Sequence, residues 1–348
     1  METNVLRIPP ERLRDLSWMP PADPSHPTAI VFDGEPAEWL RAADQRGVAA
    51  DLAGCTVPTV ALVRGAPPDA AARLLGAFDL VAAGPAGAVE ERLSAWIQAI
   101  QSRPQASAIT ARLVRLESGS LVVESMAYSV LQSGREFASW LASRPPRVPA
   151  PGGHRVALTM ADDYAELVLA RPSRHNAFDS LMREQLCDAL DTFAAGEIPA
   201  LGVRGSGPSF CSGGDLDEFG TFRDPASAHL IRSGRSVAAR FLALRHRMAV
   251  AIHGATIGAG IELAAFAARV VAGDDVRISL PEVGFGLLPG SGGTVSIPAR
   301  IGRQTFLDLA LTGRTVGAVE ALELGLVDEV APTSELPARL RALAESLR

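Results

Sequence analysis

Several things are scarce in this sequence of 348 residues, and each scarcity excludes a class of protein. Cysteine is rare: Cys55, Cys187 and Cys211 are scattered and odd in number, which speaks against a disulfide framework and for a reducing compartment. Neither a CxxC pair nor an HExxH is present, so no metal site is expected. No apolar run approaches the ~20 residues of a membrane-spanning helix. Residues 1–16 are charged and broken by proline, unlike a secretory leader. The formal charge is −6 and no Lys/Arg block interrupts it, which argues against a nucleic-acid partner. What remains is a soluble, cytoplasmic protein. With 47% hydrophobic and 21% charged residues, the chain suffices for two domains and a sizeable core.

Residues 1–27 carry six prolines and read as an irregular lead-in. Residues 28–144 form a smaller α/β unit. Its apolar runs at 28–32 and 57–63 read as strands, and helical patterns cover 35–46, 70–78 and about 87–101. Further helices within 106–143 break near Gly119 and Gly134. PPRVPAPGG, residues 145–153, is the clearest linker. The texture then changes. Residues 155–160 and 164–169 alternate apolar and polar around Ala161-Asp162-Asp163, a hairpin signal. Asp179 or Ser180 caps a helix to about 195, and 224–247 reads as one long helix with a basic face. Short strands follow at 200–203, 248–252, 270–272 and 277–280, with helices at 304–310, 317–324 and 334–347. Alternating strands and helices argue an α/β fold.

One segment recurs. Residues 65–84 read GAPPDAAARLLGAFDLVAAG, and residues 254–273 read GATIGAGIELAAFAARVVAG. The outer glycines are 19 apart in both, no gap is needed, and each segment follows an apolar strand. Residues 28–143 are thus expected to be a worn second copy, with Arg73 standing where Glu262 stands and Asp69-Ala70-Ala71 replacing Gly258-Ala259-Gly260. The alternative is two unrelated α/β units of similar, Ala-rich composition.

The later segment organises the second half. A strand leads into Gly258-Ala259-Gly260, and a helical pattern from Leu263 to Val271 follows. Small residues at the mouth of a helix let a ligand approach backbone N–H groups that the helix leaves unpaired. Taken alone, the turn is equally a plain strand-to-helix connection with a surface Glu262. Two further segments are expected to meet it: the Gly-rich loop end Phe210-Cys211-Ser212-Gly213-Gly214-Asp215, and Leu280-Pro281-Glu282-Val283-Gly284 leading into Pro289-Gly290-Ser291-Gly292-Gly293. Two Gly-rich turns can each supply one N–H to a single oxygen, an oxyanion hole built from backbone. Glu262 and Glu282, 20 residues apart, suit a general base and a general acid. Cys211 lacks an evident His partner and reads as a small buried residue.

These segments, with Ala170-Arg171-Pro172-Ser173-Arg174-His175-Asn176-Ala177-Phe178 upstream, resemble the crotonase (enoyl-CoA hydratase/isomerase) superfamily over about 152–333. The resemblance implies a ClpP/crotonase-like spiral of ββα units in a catalytic domain at 154–348, with 28–144 as a smaller, degenerate α/β domain. It implies acyl-CoA thioester substrates, no cofactor beyond the CoA of the substrate, and a homo-oligomer, a trimer or hexamer. By position, Gly214 and Ala259 give the oxyanion N–H groups, and Glu262 and Glu282 fall on the two glutamates that activate water in hydratases. Many relatives have Gly where Ala259 stands; alanine keeps the N–H unless that position needs a positive φ. Ser173 and Arg174 fall where the family's loop borders the CoA adenine and phosphates. Ser212 and Asp215 flank the pocket, and Gly258 leaves backbone open beside it. Asp215 also suits fixing its own loop by accepting backbone N–H groups.

The implied reaction is hydration of a 2-enoyl-CoA, or the reverse dehydration. The alternatives are isomerisation, thioester hydrolysis, decarboxylation or oxygenation of an acyl-CoA, or a non-catalytic acyl-CoA-binding subunit. One departure stands out: a single helix follows Gly325-Leu326-Val327, where family members carry a longer covering segment. The helices at 87–143, in cis or from a neighbour, are expected to take its place over the site.

Overall fold

The computed structural model describes residues 4–14, 27–43, 48–116, 119–145, 152–221 and 224–347. Four parallel strands open the chain: β1 (Val5–Ile8), β2 (Ala29–Gly34), β3 (Thr59–Arg64) and β4 (Leu80–Gly84), in sheet order β1-β2-β3-β4. The runs Ala29–Phe32 and Val60–Val63 are apolar on every residue because both faces of the sheet are covered there. Ile30, Phe32, Ala61 and Val63 face one core with Trp39 and Phe78. Ala29, Val31, Val60, Leu62, Leu80 and Ala82 face the other. The expected lead-in at 1–27 therefore contains an edge strand, since Val5–Ile8 pairs with Ala29–Phe32. Three of its six prolines fall at 15–26, outside the described residues, as does most of the linker.

Four helices follow, Ala86–Ser102, Pro104–Arg115, Leu121–Gln132 and Arg135–Ala142, with breaks beside Gly119 and Gly134 as the pattern predicts. Their apolar residues Leu93, Trp96, Ile100, Leu113, Val114, Leu131 and Phe137 belong to the same core as the second half of the chain. The buried Trp96 indole donates to Asp308 Oδ1 at 2.7 Å across that seam.

The second half holds a six-stranded sheet of β5 (Val156–Met160), β6 (Ala165–Leu169), β7 (Leu201–Gly205), β8 (Met248–Ile252), β10 (Arg269–Gly273) and β13 (Glu329–Ala331), in the order β13-β10-β8-β7-β6-β5. Its β5–β6 pair is the antiparallel hairpin, and the other pairs are parallel. A small second sheet, β9 (Ala255–Ile257), β11 (Arg277–Ser279) and β12 (Val316–Gly317), carries the turns described below. Parallel strands alternating with helices make this a mixed α/β fold.

Three expectations are corrected. The span 224–247 is two helices, Pro225–Gly234 and Val237–Leu244, because Ser236 caps the second by accepting the Ala239 N–H at 3.1 Å. The helix after Gly258 is only Ala259–Ala264; Val270 and Val271 lie in β10, where β-branched residues pack between strands. A helix at Gly293–Ile301, with Pro298 inside it, has no counterpart in the sequence reading, which took 284–293 as a glycine-shaped loop.

Candidate active site

The three Gly-rich segments meet at Gly258. Cys211 and Thr256 form a parallel bridge, and the Ile257 N–H donates to the Cys211 carbonyl at 2.9 Å. The Gly258 N–H donates to Ser279 O at 3.0 Å, bringing in the strand that precedes Glu282. Gly258 has φ +48° and ψ −119°, and a Cβ there would stand 2.0 Å from Glu282 Oε1. Only glycine meets both demands. Ala259 is not among the positive-φ residues, so its methyl costs the turn nothing. Among the described residues, neither the Ala259 N–H nor the Gly214 N–H has a protein acceptor, and both residues line one cavity of about 450 Å³.

Glu262 and Glu282 line the same cavity, and so does a third carboxyl, Glu124 of helix Leu121–Gln132. Glu262 is 1% exposed and its Oε2 accepts the N–H groups of Ser291 (2.6 Å) and Gly293 (2.9 Å). Glu124 is 2% exposed; its Oε1 accepts the Gly292 N–H (2.8 Å), and its Oε2 accepts the Thr294 N–H (3.0 Å) and hydroxyl (2.6 Å). Four successive amides at the entry to helix Gly293–Ile301 thus alternate between two carboxyls from opposite halves of the chain. Glu282 has a buried Oε2 with no hydrogen-bond partner.

Burial sets the acidities. It pushes Glu282 up to about 7. It pushes Glu124 up to about 7 as well, against the pull of Thr294, Gly292 and the Arg232 guanidinium. Glu262 is raised by burial first, then by the neighbouring Glu282 and Glu124 carboxylates, while the Ser291 and Gly293 amides oppose. Tyr128, one turn beyond Glu124, lines the cavity too; burial raises its hydroxyl, and the three glutamates add to this. Its ring excludes any side chain at Gly290, where a Cβ would lie 2.2 Å away. The Arg232 guanidinium stacks on that ring at 4.8 Å and donates to Ser125, Ser129 and Gln132 of the same helix. Burial pushes the Cys211 thiol up to about 12, which leaves it no nucleophile.

The enoyl-CoA hydratase/isomerase profile matches residues 161–348. The chain belongs to that family. Among solved structures, an enoyl-CoA hydratase of Geobacillus kaustophilus is 28% identical, with a TM-score of 0.52, over 56% of this chain and 75% of that one. An enoyl-CoA hydratase of Thermoplasma volcanium is 28% identical, with a TM-score of 0.50, over 55% and 77%. A Thermobifida fusca protein assigned to the same enzymes, solved in complex with acetoacetyl-CoA, is 29% identical, with a TM-score of 0.51, over 56% and 80%.

Of the residues that this family's pattern singles out, Gly214, Asp215, Ala259, Glu262 and Glu282 line the cavity. Asp215 accepts from the buried Arg171 guanidinium at 2.7 Å and from the Asp217 N–H at 3.1 Å, so it fastens the loop that carries Gly214. Ser173 is exposed and Arg174 pairs with Asp217 at 2.6 Å; neither reaches the cavity wall. Ser212 donates its N–H to the His175 carbonyl at 2.9 Å and lies outside that wall, and Gly258 touches it only through Glu282. His175 and Asn176 hold positive φ values; Asn176 Nδ2 donates to Ser206 O and Ser209 O, a clasp rather than a reacting group. Sequence reasoning missed Glu124 and Tyr128. Glu124 did leave a signal, as the one charged residue in LVVESMAYSVLQ.

Proposed function

We propose that the protein adds water to a 2-enoyl-CoA thioester, or runs the reverse dehydration, with CoA present only as part of the substrate. The observation that carries this reading is the pair Glu262 and Glu282 in one cavity with two backbone N–H groups that have no protein acceptor. The thioester oxygen accepts from Gly214 and Ala259, which stabilises the enolate as the β-carbon is attacked. Glu262 presents Oε1 to the water, while its Oε2 is held by two amides. The water gives its proton to Glu262 and its hydroxyl to the β-carbon. Glu282, with an acidity near neutrality and an unpaired oxygen, donates its proton to the α-carbon.

Helices 121–132 and 135–142 serve as the lid over the acyl group. Leu121, Val122 and Tyr128 line the cavity, and the Trp140 ring stacks on Phe285, beside Glu282, at 4.6 Å. The three cysteines are free and buried, which fits a cytoplasmic location. No helix among the described residues is long and apolar enough to cross a membrane. A homo-trimer or hexamer is part of the same proposal, tested by sedimentation.

Crotonyl-CoA and an aryl enoyl-CoA, followed at the conjugated thioester band, test the reading. The wild type is expected to bleach the band, and Glu262→Gln or Glu282→Gln to lose roughly 10²–10⁴-fold in rate. A substrate consumed without gain of water would replace hydration by isomerisation. Ligand binding without turnover would leave an acyl-CoA-binding subunit.

A further inference from the structure

The amides of residues 291–294 are shared in strict alternation, with Ser291 and Gly293 donating to Glu262, and Gly292 and Thr294 donating to Glu124. The two carboxyls therefore hold one short piece of backbone from opposite sides, and neither can shift without moving the donors of the other. Glu124 comes from the N-terminal half, 168 positions before Gly292. Its helix is fixed independently, since Arg232 donates to Ser125, Ser129 and Gln132, and Ser129 Oγ donates to Pro225 O at 3.0 Å. We propose that Glu124 is a positioning residue for Glu262, fixing where it points through the shared amides and, through its own charge, when it ionises.

The groups around Glu124 define what that charge meets. Glu262 stands across the amide run, Glu282 and Tyr128 face the same cavity, and Arg232 supplies the nearby positive charge. His229, on the helix of Arg232, is held at Ser125 Oγ. On helix Pro104–Arg115, Arg115 is bound to Asp79 and Arg112 is exposed. On helix Arg135–Ala142, Glu136 is bound by the Gln105 and Ala106 amides. A negative charge at Glu124 makes ionisation of Glu262 harder; a neutral group of the same shape makes it easier.

The inference rests on the general-base role given to Glu262 above, so its test includes a readout that needs no turnover. Infrared difference spectra against pH follow the protonated carboxyl stretch of Glu262, identified by its loss in Glu262→Gln. In Glu124→Gln the midpoint of that band is expected to fall by about one pH unit, and Glu124→Asp, which keeps the charge, is expected to hold it near the wild-type value. The acid limb of kcat/KM moves in parallel, with kcat down by roughly tenfold or more and KM nearly unchanged, because the fault lies at the base and not in substrate binding. An unmoved Glu262 band in Glu124→Gln overturns the proposal, as does the same shift in Glu124→Asp. If the wild type hydrates no enoyl-CoA, the hydratase reading falls while the band still decides the role of Glu124. If Glu124→Gln does not fold, Glu124→Ser takes its place under the same criterion: a lowered band midpoint supports the proposal and an unmoved one overturns it.

Discussion

Residues 65–84 and 254–273 share a frame and differ in what it carries. Val60 pairs with Leu80 in β3–β4, and Val250 pairs with Val270 in β8–β10, so both parallel pairs keep a register of 20 residues around a short helical segment. The turns then diverge. At Gly258 the backbone takes φ +48°, leading at once into Ala259–Ala264 with Glu262 buried. The corresponding Asp69 sits in a 3-10 turn, Asp69–Ala71, followed by Ala72–Leu75, and Arg73 is exposed. Leu74, Leu75 and Phe78 remain in a core. Packing tolerates many residues of the right volume, whereas the site needs one glycine in one conformation. The first unit has the packing without the opening.

That contrast can be broken at its sharpest point. Gly258→Ala forces a Cβ toward Glu282 Oε1 and a methyl into the φ +48° turn. The expected loss in kcat/KM is on the order of 10²–10³-fold, as for removal of an oxyanion donor. Asp69→Ala at the equivalent place is expected to leave kcat/KM within about twofold, since it is not part of the cavity wall. Parallel kinetics on the two variants check this.

A second prediction concerns stability. Glu282 rises from an ordinary 4.5 to about 7 in the folded protein, and Glu124 behaves alike. Between these values the folded state binds more protons than the unfolded one, so stability falls as pH rises from about 4.5 to 7 and then levels. Glu282→Gln removes that penalty. At pH 8 it is expected to be more stable than the wild type by about 3 kcal/mol, with no gain at pH 4. Denaturant titrations at the two pH values measure it. The smallest effect expected is from Arg73→Glu, which places a glutamate at the position matching Glu262 without the surroundings of Glu262. An exposed exchange of this kind changes stability by less than about 0.5 kcal/mol and confers no activity on the first unit.

Much of this was legible because local rules act there. The β5–β6 hairpin, the Asp179 cap on Ser180–Ala195 and the helix breaks at Gly119 and Gly134 follow from alternation, capping and glycine. Glu262, Glu282, Gly214 and Ala259 were reached through the motifs that carry the family resemblance. Residues 293–301 were not read as a helix because their first amides are satisfied by glutamates far away in sequence, and no local cap announces them. Glu124 and Tyr128 escaped for the same reason: an isolated charge in an apolar helix says that something receives it, without saying what.

The seam between the halves also bears on how the chain assembles itself. Trp96 meets Asp308 across 212 positions and Glu124 meets Gly292 across 168, so the contacts that join the halves are among those of long sequence separation. Loop-closure entropy must be met before such contacts repay it, and chains dominated by them fold slowly. Glu124 reaches the Gly292 and Thr294 amides only where the two halves meet. Its displaced titration is therefore a property of the docked halves, and following it during refolding reports the docking step itself.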